Sequence, residues 1–266
     1  MSRLQTLGLI WLLAAAAMSC GWWWQQRHRN AGIVDVLWAA ALGAAAMIAA
    51  LTGAGAPSAR ALVAVCGGAW GLRLALHLWH RLHGHSEDGR YRALRGRWGD
   101  GAARWFGMFQ FQAALVALFS VPFVVAAGNT APRAGALLAA ALVWAGSVAL
   151  EALADAQLAR FKADPANRGR TCRAGLWRYS RHPNYFFEWL HWFTYGLAAL
   201  GAPYAWAAWS GPAVMYVFLR YLSGIPFTEA QALRTRGDDY RAYQAVTPLL
   251  FPWPPRAAAG AKEPTP

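Results

Sequence analysis

The chain has 266 residues, of which 57% are apolar and only 14% are charged, and 16 of them are Trp. This composition excludes an ordinary soluble domain, because the apolar residues fall in blocks of about twenty, the length that crosses a bilayer as a helix. In a soluble protein the net charge of +13 would suggest nucleic-acid binding, but basic loops facing anionic lipid headgroups explain it here. Membrane lipids are therefore expected as neighbours, and no nucleic-acid partner is expected.

Seven apolar blocks predict membrane spans. In chain order they cover about 4–24, 33–52, 61–80, 109–127, 134–154, 186–201 and 204–222. Of the 25 Lys and Arg residues, 21 lie in or beside the segments after spans one, three, five and seven, and 3 lie on the other side. The positive-inside rule then places the N-terminus outside and the C-terminus in the cytoplasm.

The sequence thus predicts an all-α, polytopic membrane bundle of seven transmembrane helices, with one domain over 1–254 and a flexible tail over 255–266. The first block is also compatible with a cleaved secretory signal, because residues 17–20 loosely resemble a lipoprotein cleavage site. Arg27 and Arg29, which follow that block, favour an uncleaved first helix.

Ionisable residues inside predicted spans indicate function, because they are expensive to place in a membrane. They gather toward the cytoplasmic ends of four spans: Asp35, Arg73, His77, His80, Glu151, Asp155, Glu188 and His191. The alternative is that they pair among themselves, for example Asp35 or Glu188 with Arg73, and only hold the bundle together.

The most informative segment runs from 175 to 188 and reads GLWRYSRHPNYFFE. A helix that begins at Pro183 presents free backbone N–H groups and the positive end of its dipole, so anionic groups such as phosphates should collect there. Asn184, Tyr185 and Glu188 then lie on neighbouring parts of one helical face.

Several motifs run through most of the chain: Asp155-x-x-Leu158, the 175–188 segment, Val34-Asp35-Val36-Leu37-Trp38, Trp70-Gly71-Leu72-Arg73-Leu74-Ala75, Glu87-Asp88-Gly89-Arg90-Tyr91, Glu229 and Asp239-Tyr240-Arg241-x-Tyr243. As a set they resemble the steroid 5-alpha-reductase C-terminal-domain superfamily, most closely its uncharacterised bacterial branch. The Arg-His-Pro-x-Tyr-x-x-Glu part is shared with isoprenylcysteine carboxyl and phospholipid methyltransferases.

The resemblance implies a seven-helix membrane reductase that holds NADPH in a cytoplasm-facing cavity and reduces a carbon–carbon double bond of a lipid-soluble substrate. It also implies the dinucleotide-holding positions Asp155, Lys162, Arg170, Asn184 and Glu188. The animal steroid reductases grip the substrate ketone with a Gln-Glu pair in the second helix and a Tyr in the third. Here the second helix offers only Asp35, and Leu78 stands where the Tyr would be.

The chemistry of the ligand adds further candidates. Phosphates favour Arg, whose planar fork binds two oxygens, so we add Arg90, Arg178 and Arg181, together with Tyr185 and Tyr240, as cofactor-binding candidates. Reducing a conjugated double bond also needs a hydrogen-bond or proton donor. Asp35, His77 and Tyr91 are the catalytic candidates, and the sequence does not choose among them.

Three rival readings remain. An S-adenosylmethionine-dependent membrane methyltransferase is the main alternative, although its cofactor has no phosphate to explain two arginine-rich loops. A di-iron desaturase is suggested by His77, His80, His83 and His85, but it needs about eight histidines, and the chain has 7. A transporter or structural protein is the third, but inverted halves are not evident. No metal is expected at the site, and the substrate could be steroid-like or isoprenoid. The predicted location is the bacterial inner membrane, and the sequence leaves the oligomeric state open.

Overall fold

The computed structural model of the protein describes residues 1–84 and 87–256, and every regular element within them is helical. The helices are α1 (Arg3–His28), α2 (Ile33–Thr52), α3 (Pro57–Gly84), α4 (Gly89–Trp98), α5 (Ala102–Ala127), α6 (Ala134–Ala163), α7 (Pro183–His191), α8 (Phe193–Ala198), α9 (Ala205–Ala208), α10 (Ser210–Val217) and α11 (Ile225–Val246). Short 3-10 turns cover Pro165–Asn167 and Gly175–Arg178, and a π-helical turn covers Phe218–Leu222. The all-α prediction is confirmed.

Five helices of the described chain are long and apolar enough to cross a membrane, namely α1, α2, α3, α5 and α6. They correspond to the first five predicted spans, and the second has the predicted bounds, 33–52. This is an integral membrane protein, because helices of this length and hydropathy need a hydrocarbon environment.

The predicted sixth and seventh spans, 186–201 and 204–222, are not single continuous helices. The sixth is divided between α7 and α8, which Trp192 separates, and the seventh between α9, α10 and the π-helical turn. The connection between the two pairs contains Gly201 (φ +91°) and Tyr204 (φ +66°), whose left-handed backbone ends regular helix.

The chain forms two compact units, and each is considered by itself. Unit 1 contains Met1–Ala141 and Phe193–Gly211, and unit 2 contains Leu142–Trp192 and the chain from Pro212 onward. The single domain over 1–254 stays a prediction, and residues 257–266 of the predicted tail lie outside the described residues.

Unit 1 is organised by close packing of α2 on α3. A Cβ atom on Gly71 would lie 2.5 Å from Gly43 Cα and 2.9 Å from the Ala39 carbonyl oxygen, so the two backbones touch at this crossing. Such approaches are typical of membrane helices, whose association depends on small residues rather than on apolar driving force. Trp70, Trp105 and Phe119 fill the surrounding interior and are almost fully buried.

Unit 2 is organised by a chain reversal in α11. A straight helix would place Glu229 and Gln244 about 22 Å apart. Their side chains nevertheless meet, with Gln244 Nε2 2.6 Å from Glu229 Oε2. The reversal occurs at Gly237, whose φ of +50° and ψ of −120° are accessible to glycine and costly for other residues.

Candidate functional site

In unit 1, two of the predicted catalytic residues contact each other. Tyr91 on α4 donates its hydroxyl to Asp35 Oδ1 at 2.7 Å, and Arg90 Nη2 pairs with Asp35 Oδ2 at 3.0 Å. Asp35 lies in the first turn of α2, 55 residues before Arg90. The Asp35 carboxylate is therefore held by Arg90 rather than by Arg73, one of the partners expected if the ionisable residues only hold the bundle together.

Helix α4 is fixed in place by its own N-terminal segment. Asp88 caps the helix by accepting from the Arg90 backbone N–H at 2.9 Å, and it also pairs with Arg81 at 2.6 Å. Burial alone would raise the pKa of Asp88, but the Arg90 N–H and the charges of Arg90 and Arg81 outweigh burial and lower that pKa. Glu87 adds a second anchor by pairing with Arg95 at 2.7 Å. These contacts determine where Arg90 and Tyr91 lie.

The surroundings of Tyr91 restrict what it can do chemically. Its side chain is buried, and burial together with the charge of Asp35 raises the pKa of Tyr91 well above its usual value. The phenol therefore keeps its proton at neutral pH, and it can donate a hydrogen bond or a proton but cannot act as a base. His77, the third catalytic candidate, is exposed on α3. The side chains that bond to Asp35 are those of Arg90 and Tyr91.

In unit 2, two predicted cofactor residues meet at the start of α7. The helix begins at Pro183 as predicted, and Asn184 Nδ2 donates to Asp155 Oδ1 of α6 at 3.1 Å. Asn184 Oδ1 accepts from the Tyr185 backbone N–H at 3.0 Å. Glu188 follows one turn later with 12% of its side chain exposed. The positive end of α7 thus carries an amide and two carboxylates from two helices.

The predicted cations of unit 2 differ in their surroundings. Lys162, Arg170 and Arg178 are exposed, so their charged groups can reach a ligand. Arg181 is different, because only 12% of its side chain is exposed and its Nε lies 3.0 Å from Glu229 Oε1. The connecting segment that carries Arg178 is tied to α6 by the Trp177 Nε1 bond to the Ala154 carbonyl at 2.9 Å.

Glu229 on α11 is the centre of a bonded network that sequence reasoning had not included among the site residues. Besides Arg181 and Gln244, it accepts from Tyr240 Oη at 2.8 Å and from His182 Nε2 at 3.2 Å. Burial alone would raise the pKa of Glu229, but the bonds from His182 and Tyr240, the Arg181 charge and the Gln244 bond lower it to about 2.

The network gives Arg181 and Tyr240, both cofactor candidates, a partner within unit 2. Burial raises the pKa of Tyr240, and its bond to Glu229 raises it further, so this phenol also stays protonated. His182 is 5% exposed, and burial lowers its pKa. The ring stacks on Tyr185 with an interplanar angle of 6°. The visible signal for Glu229 was its place among the motifs of the family resemblance, in the same helix as Tyr240.

A further set of contacts joins the last described segment to the same region. The Arg181 N–H donates to the Pro248 carbonyl at 2.9 Å, and Ser180 Oγ donates to the Leu250 carbonyl at 2.7 Å. Tyr243 Oη donates to the Trp177 and Ser180 carbonyls. Residues 177–182, which precede α7, are therefore held from several directions.

Comparison with known proteins identifies the family. A family model described as "Protein of unknown function (DUF1295)" matches residues 21–247. The chain belongs to the DUF1295 family. DUF1295 is a steroid 5-alpha-reductase-like group, so the resemblance read from the motifs is confirmed at the level of the family. No curated protein and no solved structure shows a significant match to this DUF1295 protein.

Within residues 1–84 and 87–256, no group of three or more His, Cys, Asp or Glu side chains has the arrangement of a metal site. His85, which contributed to the di-iron reading, lies outside the described residues.

Proposed function

We propose that this DUF1295 protein is an NADPH-dependent membrane reductase that acts on a carbon–carbon double bond of a lipid-soluble, steroid-like or isoprenoid substrate. The observation that carries the proposal is the Asn184–Asp155 hydrogen bond at the positive end of α7. Two residues 29 positions apart, both expected to hold a dinucleotide, lie within 3.1 Å of each other. An amide beside two carboxylates offers the donor and acceptors that suit the uncharged nicotinamide carboxamide.

The side chains of unit 2 fit the chemistry of NADPH. Exposed Lys162, Arg170 and Arg178 would neutralise the pyrophosphate and the 2′-phosphate. Asn184 and Glu188 would bond to the nicotinamide carboxamide, with Asp155 orienting Asn184. The bound dinucleotide supplies the hydride, and the protein supplies position and a dry environment.

Three further candidates keep roles that suit their contacts. Arg181 and Tyr240 both contact Glu229 and would hold the phosphate-binding segment before α7 in position. Tyr185 would stack on a ring of the cofactor. Arg90 lies in unit 1, where it pairs with Asp35.

Within unit 1, the predicted proton-donor chemistry rests on the pair of Asp35 and Tyr91. Tyr91, which stays protonated and donates its one hydroxyl proton to Asp35, would turn that proton toward the oxygen or carbon that gains electron density when substrate binds. Arg90 compensates the charge of Asp35. His77 is exposed on α3, so its ring can reach a substrate, and it stays a second candidate for the proton donor.

We also infer that the chain crosses the bacterial inner membrane seven times, with the N-terminus outside and the C-terminus in the cytoplasm. The support is the asymmetric distribution of Lys and Arg, 21 against 3. On this topology α7–α8 and α9–α10 with the π-helical turn form the last two crossings as broken helices. Interrupted helices are tolerated at membrane depth where protein surrounds them.

Replacing Arg170 tests the cofactor assignment. Arg170→Ala is expected to weaken NADPH binding about tenfold or more, because a charge-assisted contact to phosphate is lost. Arg27→Ala is the matched control, since Arg27 is exposed at the end of α1 and stacks on Trp23 at 3.8 Å. Equal NADPH affinity in both variants, or binding of S-adenosylmethionine in place of NADPH, would contradict the proposal.

A further inference from the structure

Unit 1 contains a cavity far from the Asp35 cluster. It has a volume of about 340 Å³ and lies between the start of α1, the end of α2 and the end of α5. Asp35 is in the first turn of α2 and Thr52 is its last residue, so the helix length separates the two places by about 25 Å. Three apolar helices begin or end at this cavity, which places it at the edge of the bilayer.

Among its side chains the cavity lining has one cation and no carboxylate. Arg3 is the cation, and Ser2, Thr6 and Thr52 supply three hydroxyls above an apolar floor that includes Val124. Within the described part of the chain, Arg3 forms no ion pair, and its guanidinium carbon lies over the Tyr204 ring, 5.4 Å from the ring centroid. Its guanidinium is thus oriented by an aromatic ring and keeps its N–H groups for another partner.

Arg60 lies near the same helix ends and, unlike Arg3, donates hydrogen bonds to backbone carbonyls. Its Nε donates to the Ala50 carbonyl at 2.6 Å and its Nη2 to the Leu51 carbonyl at 3.4 Å, so it satisfies the last carbonyls of α2. Arg3 lies against Gly128, where a Cβ atom would come within 3.3 Å of its Nε and Nη2. Complementing the carbonyl end of α5 would explain the charge of Arg3. The Ser2 hydroxyl caps α1, which leaves the Thr6 and Thr52 hydroxyls at the cavity to be explained.

The hydroxyl groups provide both kinds of hydrogen-bonding group. Ser2 Oγ accepts from the Gln5 N–H at 3.2 Å, so its own proton is available to a ligand. Thr52 Oγ1 donates to the Ile48 carbonyl at 2.8 Å, and Thr6 Oγ1 lies 3.1 Å from it. Thr6 must therefore donate to Thr52, and the Thr6 oxygen retains lone pairs that can accept from a ligand.

We propose that this cavity binds the phosphodiester headgroup of a membrane phospholipid. Arg3 and the Ser2 hydroxyl donate to the phosphate oxygens, and the Thr6 oxygen accepts from the amine or hydroxyl at the end of the headgroup. The apolar floor and the adjoining span ends receive the upper acyl chains. The position at the bilayer edge favours a lipid over a free phosphate ion as the occupant.

Lipid retention tests this site without any assay of reductase activity. The protein, tagged at its C-terminus, is delipidated in detergent and titrated with dihexanoyl phosphatidylethanolamine while native mass spectrometry counts bound lipid. Wild type should bind one lipid tightly. Arg3→Gln should weaken that binding about tenfold or more, because charge-assisted bonds are lost. Arg133→Gln should bind as wild type, since Arg133 is exposed and absent from the lining.

Two further arms identify the ligand. Dihexanoylglycerol, which lacks the phosphate, should not bind, and inorganic phosphate should not displace the lipid at equal concentration. Thr6→Val preserves side-chain shape and should weaken binding severalfold even if Arg3→Gln fails to fold. Equal binding by wild type, Arg3→Gln and Thr6→Val would overturn the proposal. So would equal binding of the phosphate-free lipid, or displacement by phosphate alone.

Discussion

Replacing Glu229 with Gln should destabilise unit 2 and change how its stability depends on pH. The substitution preserves the size of the side chain, and an amide can still bond to Tyr240 and Gln244. It removes the negative charge that Arg181 and His182 share. A buried guanidinium is then left without its counter-charge, which is more damaging than losing an exposed pair.

The magnitude follows from the pKa of Glu229. Its pKa is lowered from 4.5 to about 2, and each pKa unit corresponds to about 1.4 kcal/mol, so the ionised carboxylate contributes about 3 kcal/mol. Only 16% of the side chain is exposed, so solvent screening is limited. Because the folded pKa is the lower one, this contribution is present above pH 4.5 and is lost as pH falls toward 2.

The assay is chemical denaturation in detergent micelles, followed by Trp fluorescence, at a series of pH values. Asp238→Asn is the matched control, because Asp238 pairs with Arg241 at 2.6 Å while its side chain is 96% exposed. Surface pairs of this kind contribute about 0–1 kcal/mol. Glu229→Gln should therefore lower the free energy of unfolding at pH 7 by about 3 kcal/mol and flatten its dependence below pH 4.5.

The reasoning fails if the two variants unfold alike. It also fails if Glu229→Gln retains the wild-type loss of stability between pH 4.5 and 2, because some other group would then be responsible.

Two other substitutions address the unit 1 cluster and the helix crossing. Tyr91→Phe should slow NADPH oxidation with a steroidal enone by about 100-fold or more while NADPH affinity is unchanged, because only the proton donor is removed; a wild-type rate would exclude Tyr91 from that role. Gly71→Ala should lower the melting temperature, at a cost of about 1–3 kcal/mol, because its Cβ would meet the Gly43 backbone at 2.5 Å. Gly107→Ala, with nothing within 4 Å, is the control, and equal melting of the two would contradict the packing.

Hydropathy predicted the five long helices because their length and composition are properties of the local sequence. It did not predict the division of the sixth and seventh spans. The break at Trp192 has neither Gly nor Pro beside it, so tertiary packing rather than a local helix breaker must set it. The Gly201–Tyr204 break carried a clearer signal, since Gly and Pro interrupt helices.

The candidate site shows the same division between local and distant information. Helical periodicity placed Asn184, Tyr185 and Glu188 together at the start of α7, and that start lies where predicted. Periodicity gives no information on contacts between elements, so the bond from Tyr91 to Asp35 could not be deduced. Glu229 was missed for the same reason, because its partners gather only when α11 reverses at Gly237.

The most direct test of the central claim is a thermal-stability titration of the detergent-purified protein with NADPH, NADP, NADH and S-adenosylmethionine. A ligand that binds only the folded form raises the melting temperature. We predict a shift with NADPH and NADP, a smaller one with NADH because it lacks the 2′-phosphate, and none with S-adenosylmethionine. A shift with S-adenosylmethionine alone would contradict the reductase assignment and favour a methyltransferase.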